Sequence, residues 1–131
     1  MTITIVTTDG SQVQLDVRTI ILFAGPYPHD VGAHTYIHTS DPKLFVTFED
    51  VEAFAKRLPN PSDFAVLTRP NLSPVRINGS SVVKLRLALG TEAPARTVAL
   101  VQRLHQAVME DLATARQLIN AHGGSVPPAG A

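Results

Sequence analysis

The sequence predicts an α+β protein built from two small antiparallel β units, with a short helix after the first and a long helix closing the chain. Three observations carry this. Polar and apolar residues alternate over 3–7 and 12–15, the period of half-buried strands. A second strand-turn-strand stretch begins near residue 64 and matches the first at a spacing of 62. Apolar residues recur at steps of three and four from Val98 to Ile119, the period of a helix face.

The first hairpin has a readable register. A two-residue loop at Asp9-Gly10 would set Ile5 against Gln14. A three-residue loop over 8–10 sets Ile5 against Val13 and Ile3 against Leu15, and gives Gly10 the left-handed position that glycine adopts at no steric cost. The longer loop is predicted, because a slip of one residue would turn an apolar face to water. Asp16–Thr19 reads as a local turn. Ile20-Ile21-Leu22-Phe23 is a continuous apolar run, as in a strand covered on both faces. Residues 25–32 hold two prolines and two glycines and read as a loop. Strands are expected over 34–39 and 44–48, with a turn at Ser40–Lys43.

A short helix is predicted over 49–58. Val51, Phe54, Ala55 and Leu58 share one face, Thr47 is the expected N-cap, and Pro59 and Pro61 end the helix. The second unit then offers strands at 64–69, 74–78 and 81–89. The last element is predicted as one helix over 93–122, with Pro94 in its first turn and Gly123-Gly124 as its stop. Residues 123–131 read as a disordered tail. The organisation is thus 1–58, 64–122 and a tail, within one compact domain overall.

Shifting the sequence by 62 places Ile5 on Leu67, Asp9 on Asn71, Val13 on Val75, Leu15 on Ile77 and Asp16 on Asn78 without a gap. Ile20-Ile21 then fall on Val82-Val83. Strand, Asp-Gly turn, strand, a polar Asn or Asp and a β-branched pair resemble the small FlbD-like flagellar regulators. The residues that carry the resemblance are Leu67-Thr68-Arg69, Ile77-Asn78 and Val82-Val83, and in the first copy Thr35–Thr39 and Leu44–Thr47. It spans roughly residues 3–58, with a partial copy at 64–89. It departs in the absence of an Asn-Gly turn in the second copy, in the long 25–33 loop and in the C-terminal helix. LytTR-type DNA-binding domains share a comparable strand rhythm and match less well. The resemblance implies a small, non-enzymatic regulatory module.

Composition narrows the chemistry. The 131 residues include no cysteine, so disulfides, thiolate metal sites and thiol nucleophiles are excluded. No apolar run approaches the ~20 residues of a membrane helix, and no basic leader is readable at the start. A soluble cytoplasmic protein is expected. Eleven basic and eleven acidic residues cancel, so the overall charge does not point to nucleic acid or membrane. Of the five histidines, His34 and His38 share a strand face but stand ~13 Å apart along it, too far for one metal. His29 with Asp30 adds at most a thin site, and no metal or cofactor is expected. Ser80-Ser81 has no adjacent base, no Gly-x-Ser-x-Gly is present, and no phosphate loop is found, so no catalytic residue is assigned.

Two surfaces remain. Between Phe64 and Thr91 lie Arg69, Arg76, Lys84 and Arg86 and no acid. This predicts a basic sheet face for an anion or acidic partner. The stripe of the C-terminal helix, Val101, Leu104, Val108, Leu112 and Ile119, is longer than one small sheet needs and is the expected protein-partner surface, with a homodimer as the simplest closed form. The expected function is a regulatory or adaptor module acting on a protein partner. A nucleic-acid-binding regulator using the basic face comes second, and a small enzyme third.

Overall fold

Alternation and a single left-handed glycine build the first hairpin. In the computed structural model, which describes residues 1–26 and 34–127, strand β1 (Thr2–Val6) pairs antiparallel with β2 (Gln12–Asp16). Ile5 faces Val13 and Ile3 faces Leu15, the register that the alternation predicts. Thr7 N–H donates to Ser11 O and Gly10 N–H to Thr7 O, both at 2.9 Å, and Gly10 has φ 89°. Ile5 and Leu15 are buried, and Ile3 and Val13 beside them are half-buried. The intervening residues Thr4 and Gln14 face out, and Gln14 Nε2 donates to Thr4 Oγ1 across the hairpin at 2.8 Å.

The chain divides into two compact units, Met1–Pro61 and Ser62–Ala131. In the first, Asp16 accepts the Arg18 N–H at 3.0 Å and closes a 3-10 turn over Val17–Thr19. Strands β3 (Ile20–Ala24), β4 (Thr35–Thr39) and β5 (Leu44–Thr47) follow as an antiparallel meander. Every residue of β3 is buried, as its unbroken apolar run predicts. Helix α1 (Val51–Arg57) starts at Asp50, which accepts the Glu52 N–H at 3.0 Å. Thr47, the expected cap, instead accepts the Glu49 N–H at 3.3 Å and so shapes the turn leading into the helix. Phe54 is the fully buried anchor of α1. It meets the Phe23 ring edge-on, with centroids 5.1 Å apart, a favoured aromatic geometry.

The second unit repeats this order. Strand β6 (Phe64–Thr68), β7 (Pro74–Asn78), a 3-10 turn at Gly79–Ser81, β8 (Val82–Leu87) and β9 (Thr97–Val101) each start 62 residues after their counterparts. Strand β10 (Leu104–Val108) and helix α2 (Leu112–Asn120) complete the series. The likeness extends to single bonds. Asn78 caps its 3-10 turn as Asp16 does, accepting the Ser80 N–H at 3.1 Å. The bulge between Ile20 and Leu22 recurs between Val82 and Lys84. Ser40 N–H donates to Thr19 O at 2.8 Å, and Gln102 N–H to Ser81 O at 3.0 Å. Thr35 Oγ1 donates to Glu49 O at 2.7 Å, and Thr97 Oγ1 to Glu110 O at 2.8 Å, just before each helix cap.

The predicted helix over 93–122 is corrected. Its first half is the β9–β10 hairpin, joined by a two-residue turn at Gln102-Arg103, and only Leu112–Asn120 is helical. Thr97-Val98-Ala99-Leu100-Val101 is an apolar run with three β-branched residues, which favours a strand, and every residue of β9 except Leu100 is buried. Asp111 supplies the helix start, accepting the Thr114 N–H at 2.8 Å. The first residues of the expected disordered tail are held against α2 instead. Val126 N–H donates to Asn120 Oδ1 and Asn120 Nδ2 to Val126 O, each at 2.9 Å, and Val126 is buried. Residues 128–131 of that tail lie outside the described residues. Among the described residues, no helix is long and apolar enough to cross a membrane.

Candidate functional site

Strand β8 stands at one end of the β10-β9-β8 sheet, and its sequence is Val82-Val83-Lys84-Leu85-Arg86-Leu87. Alternation puts Lys84 and Arg86 on one face and Leu85 and Leu87 on the other. Two main-chain bonds set the phase of the ladder. Ala88 N–H donates to Arg96 O at 3.1 Å, and Gln102 N–H to Ser81 O at 3.0 Å. With Arg86 opposite Val98 and Lys84 opposite Leu100, the peptide groups of Lys84 and Arg86 bond toward β9. Those of Leu85 and Leu87 point the other way, as antiparallel pairing requires.

Val82 is buried and Leu85 half-buried, but three apolar side chains on this edge and just beyond it are exposed. Val83 is 60%, Leu87 66% and Leu89 62% exposed. Large apolar side chains grouped on one strand edge mark a contact surface or an aggregation hazard. The contrast with β3, whose five residues are all buried at the same place in the repeat, makes the exposure specific to the second unit. Alternation makes Lys84 and Arg86 the solvent face, with Val83, Leu85 and Leu87 opposite to them. At Val83 a register shift between Val82 and Lys84 interrupts that alternation, whereas Leu87 pairs regularly with Thr97 and is exposed all the same.

Arg86 is tied down. Its Nη1 and Nη2 meet Glu92 Oε1 and Oε2 at 2.8 and 2.9 Å, a fork-to-fork pair. Glu92 reaches it through a 3-10 turn at Gly90–Glu92 and also accepts the Leu89 N–H at 2.7 Å. The Arg86 guanidinium, then the Leu89 N–H, holds the Glu92 carboxyl down at about 2. Arg69 is only 4% exposed and donates from Nε to Ser73 Oγ at 2.8 Å. Arg76 is half-buried on β7, and Lys84 is exposed. The four basic residues therefore do not form the single solvent-facing array that their spacing predicts.

The expected partner stripe is also redistributed. Val101 lies on β9, Leu104 and Val108 on β10, and Leu112 and Ile119 on α2. Val101, Val108 and Ile119 are fully buried, while Leu104 and Leu112 are half-buried. Val101, Val108 and Ile119 belong to the core of their unit, because the helix that would have displayed them is two strands and a short helix.

His34, Tyr36 and His38 alternate with the buried Thr35, Ile37 and Thr39 and share a half-buried face. Burial pushes the His38 imidazole below its usual range. The His34 ring lies 5.4 Å from the exposed Phe48 ring. His105 is exposed on β10, and His122 Nδ1 lies 2.7 Å from Ser62 O. His29 and Asp30 lie outside the described residues. Among the described residues, no three His, Asp or Glu side chains gather as metal ligands would. A groove of about 420 Å³ runs beside the first hairpin turn, lined by Thr7, Thr8, Asp9, Val13, Leu44 and Val46.

No protein-family model matches the chain, and no curated protein or solved structure matches it.

Proposed function

We propose that the chain is a non-catalytic regulatory or adaptor module that acts through protein–protein contacts and works as a homodimer. The observation that carries this is the exposed apolar edge of β8, with Val83 and Leu87 on the strand and Leu89 just beyond it each more than half accessible. A neutral chain has little colloidal repulsion to keep such an edge apart from other molecules, so a specific contact is the soluble way to cover it. The FlbD-like residues support the regulatory part of the reading. Leu67-Thr68 and Ile77-Asn78 fall on the paired strands β6 and β7, and Val82-Val83 opens β8.

Sedimentation velocity over a micromolar concentration series tests the homodimer, and affinity capture with the full chain tests the adaptor role. A chain that stays monomeric at high micromolar concentration refutes the homodimer. Binding to duplex DNA that weakens steeply with salt would favour the nucleic-acid reading. That reading has lost ground, since Arg69 is buried and Arg86 is already paired with Glu92.

A further inference from the structure

The segment Val83–Leu89, β8 with the two residues that follow it, is close to a palindrome, and that property selects its partner. Read in both directions from Arg86, the residues are Leu85 and Leu87, then Lys84 and Ala88, then Val83 and Leu89. An antiparallel pair of identical strands related by a two-fold axis at Arg86 sets each of these against the other in the second copy. We infer that the homodimer proposed above is formed by β8 pairing with β8 of a second copy about that axis, joining two β10-β9-β8 sheets into one.

Backbone bonding, charge and packing each favour this register. First, Leu85 and Leu87 are the β8 residues whose peptide groups point away from β9, and the axis at Arg86 pairs Leu85 of one copy with Leu87 of the other. Each such pair exchanges both N–H···O bonds. An axis at Leu87 would instead pair Leu85 with Leu89, whose N–H is already held by Glu92. Second, charge is compatible. An axis at Leu85 would place Lys84 opposite Arg86 twice, and like charges directly opposite are unfavourable. With the axis at Arg86, Lys84 meets Ala88, and the two arginines arrive already neutralised by their own Glu92 carboxylates. Third, Val83 and Leu89, both exposed in one copy, come to lie against each other across the seam. The bulge at Val83 bends the strand there and ends the pairing.

The inference rests on the homodimer reading, and the experiment separates the two. The chain has no cysteine, so single Leu85→Cys and Leu87→Cys variants can be made in the full-length protein. Directly opposite residues have Cα atoms roughly 5.5 Å apart, within disulfide range, while a residue and its own copy two positions off register are roughly 7–8 Å apart and fall outside it. Under mild oxidation the equimolar mixture is expected to give a disulfide-linked dimer, and each variant alone to remain largely uncrosslinked. Leu87→Lys adds an independent arm, because the side chain is 66% exposed and its loss leaves the core intact. It is expected to stay folded by circular dichroism and to raise the dimer dissociation constant at least tenfold. A wild-type dimer whose mixed variants do not crosslink, or whose Leu87→Lys form still dimerises as tightly, overturns the β8 seam and leaves the homodimer standing. A monomeric wild type overturns both.

Discussion

Replacing Gly79 by alanine puts one methyl group where the end of helix α2 already stands. A Cβ built on Gly79 lies 2.4 Å from His122 O and 2.5 Å from Ile119 O. Carbon and carbonyl oxygen rest about 3.4 Å apart at contact, so roughly 1 Å must be found. Neither obstacle can rotate away, because both are backbone. Ile119 O also accepts the N–H groups of His122 and Gly124, each at 3.0 Å, so moving it opens the helix terminus. Retreat of the whole helix would lift Ala115 and Ile119, both fully buried, from their packing. Overpacking of this kind costs about 1–3 kcal/mol, and a backbone obstacle puts Gly79→Ala at about 3 kcal/mol. The melting temperature should then fall by ~10 °C or more. Urea unfolding followed by circular dichroism reads the change, with Gly90→Ala as the control, since a Cβ there meets nothing within 4 Å. A Gly79→Ala protein within about 0.5 kcal/mol of wild type would refute the reasoning. The residue 62 positions earlier is Val17, which is buried. The glycine is thus required by the nearness of α2 and not by the turn.

Other expectations follow from the same packing and charges. Gly10 has φ 89° with open space around it, so Gly10→Ala should cost about 1 kcal/mol of strain alone. At the matching turn Leu72 holds φ 68° while 74% exposed, so Leu72→Gly should raise stability by about 0.5–1 kcal/mol, and a loss on denaturation would contradict this. Ile5 is 1% exposed, so Ile5→Asp buries an unpaired carboxylate and should leave the protein unfolded by circular dichroism. Glu92 and Asp16 are both held at about 2, each chiefly by hydrogen bonds from its arginine, Arg86 and Arg18. Their contribution is full above the ordinary carboxylate range and is lost as pH falls toward 2. Glu92→Gln should flatten that part of the stability curve. Burial lowers the His38 imidazole, so its contribution is full above roughly 6.5 and declines as pH falls below it, because the unfolded chain takes up the proton first. An unchanged slope below pH 6.5 in His38→Gln would exclude that role.

The first unit was legible because its signals agree. Alternation, the register check and Gly10 each point to one hairpin, and the unbroken apolar run of β3 has one reading. The C-terminal helix was misread because Val98, Val101, Leu104 and Val108 satisfy a step of three or four equally well on a hairpin whose turn is two residues long. The offset of 62 held the correction, since it lays Thr97–Val101 over Thr35–Thr39. The basic face failed for a similar reason. A count that stops at Thr91 finds no acid, but Glu92 is the next residue, and one 3-10 turn returns it to Arg86. The exposed edge of β8 was hidden because alternation says which residues share a face but not whether anything covers it.

The connection between the last two strands of each unit differs in length. In the first unit Thr39 N–H donates to Lys43 O at 3.0 Å, closing a three-residue loop. In the second, Val101 pairs with Leu104 across Gln102-Arg103. The missing residue is absorbed before the next strand, because an aspartate still caps each following helix, Asp50 accepting the Glu52 N–H and Asp111 the Thr114 N–H. Chain length at this point is therefore not a structural variable, and Asp41-Pro42 is a natural place to graft foreign sequence. Asp41 and Pro42 are exposed, and closing a longer loop costs only about 0.6 kcal/mol per doubling. A peptide epitope or fluorophore-binding tag inserted there should report on the protein in cells, at a position remote in sequence from β8.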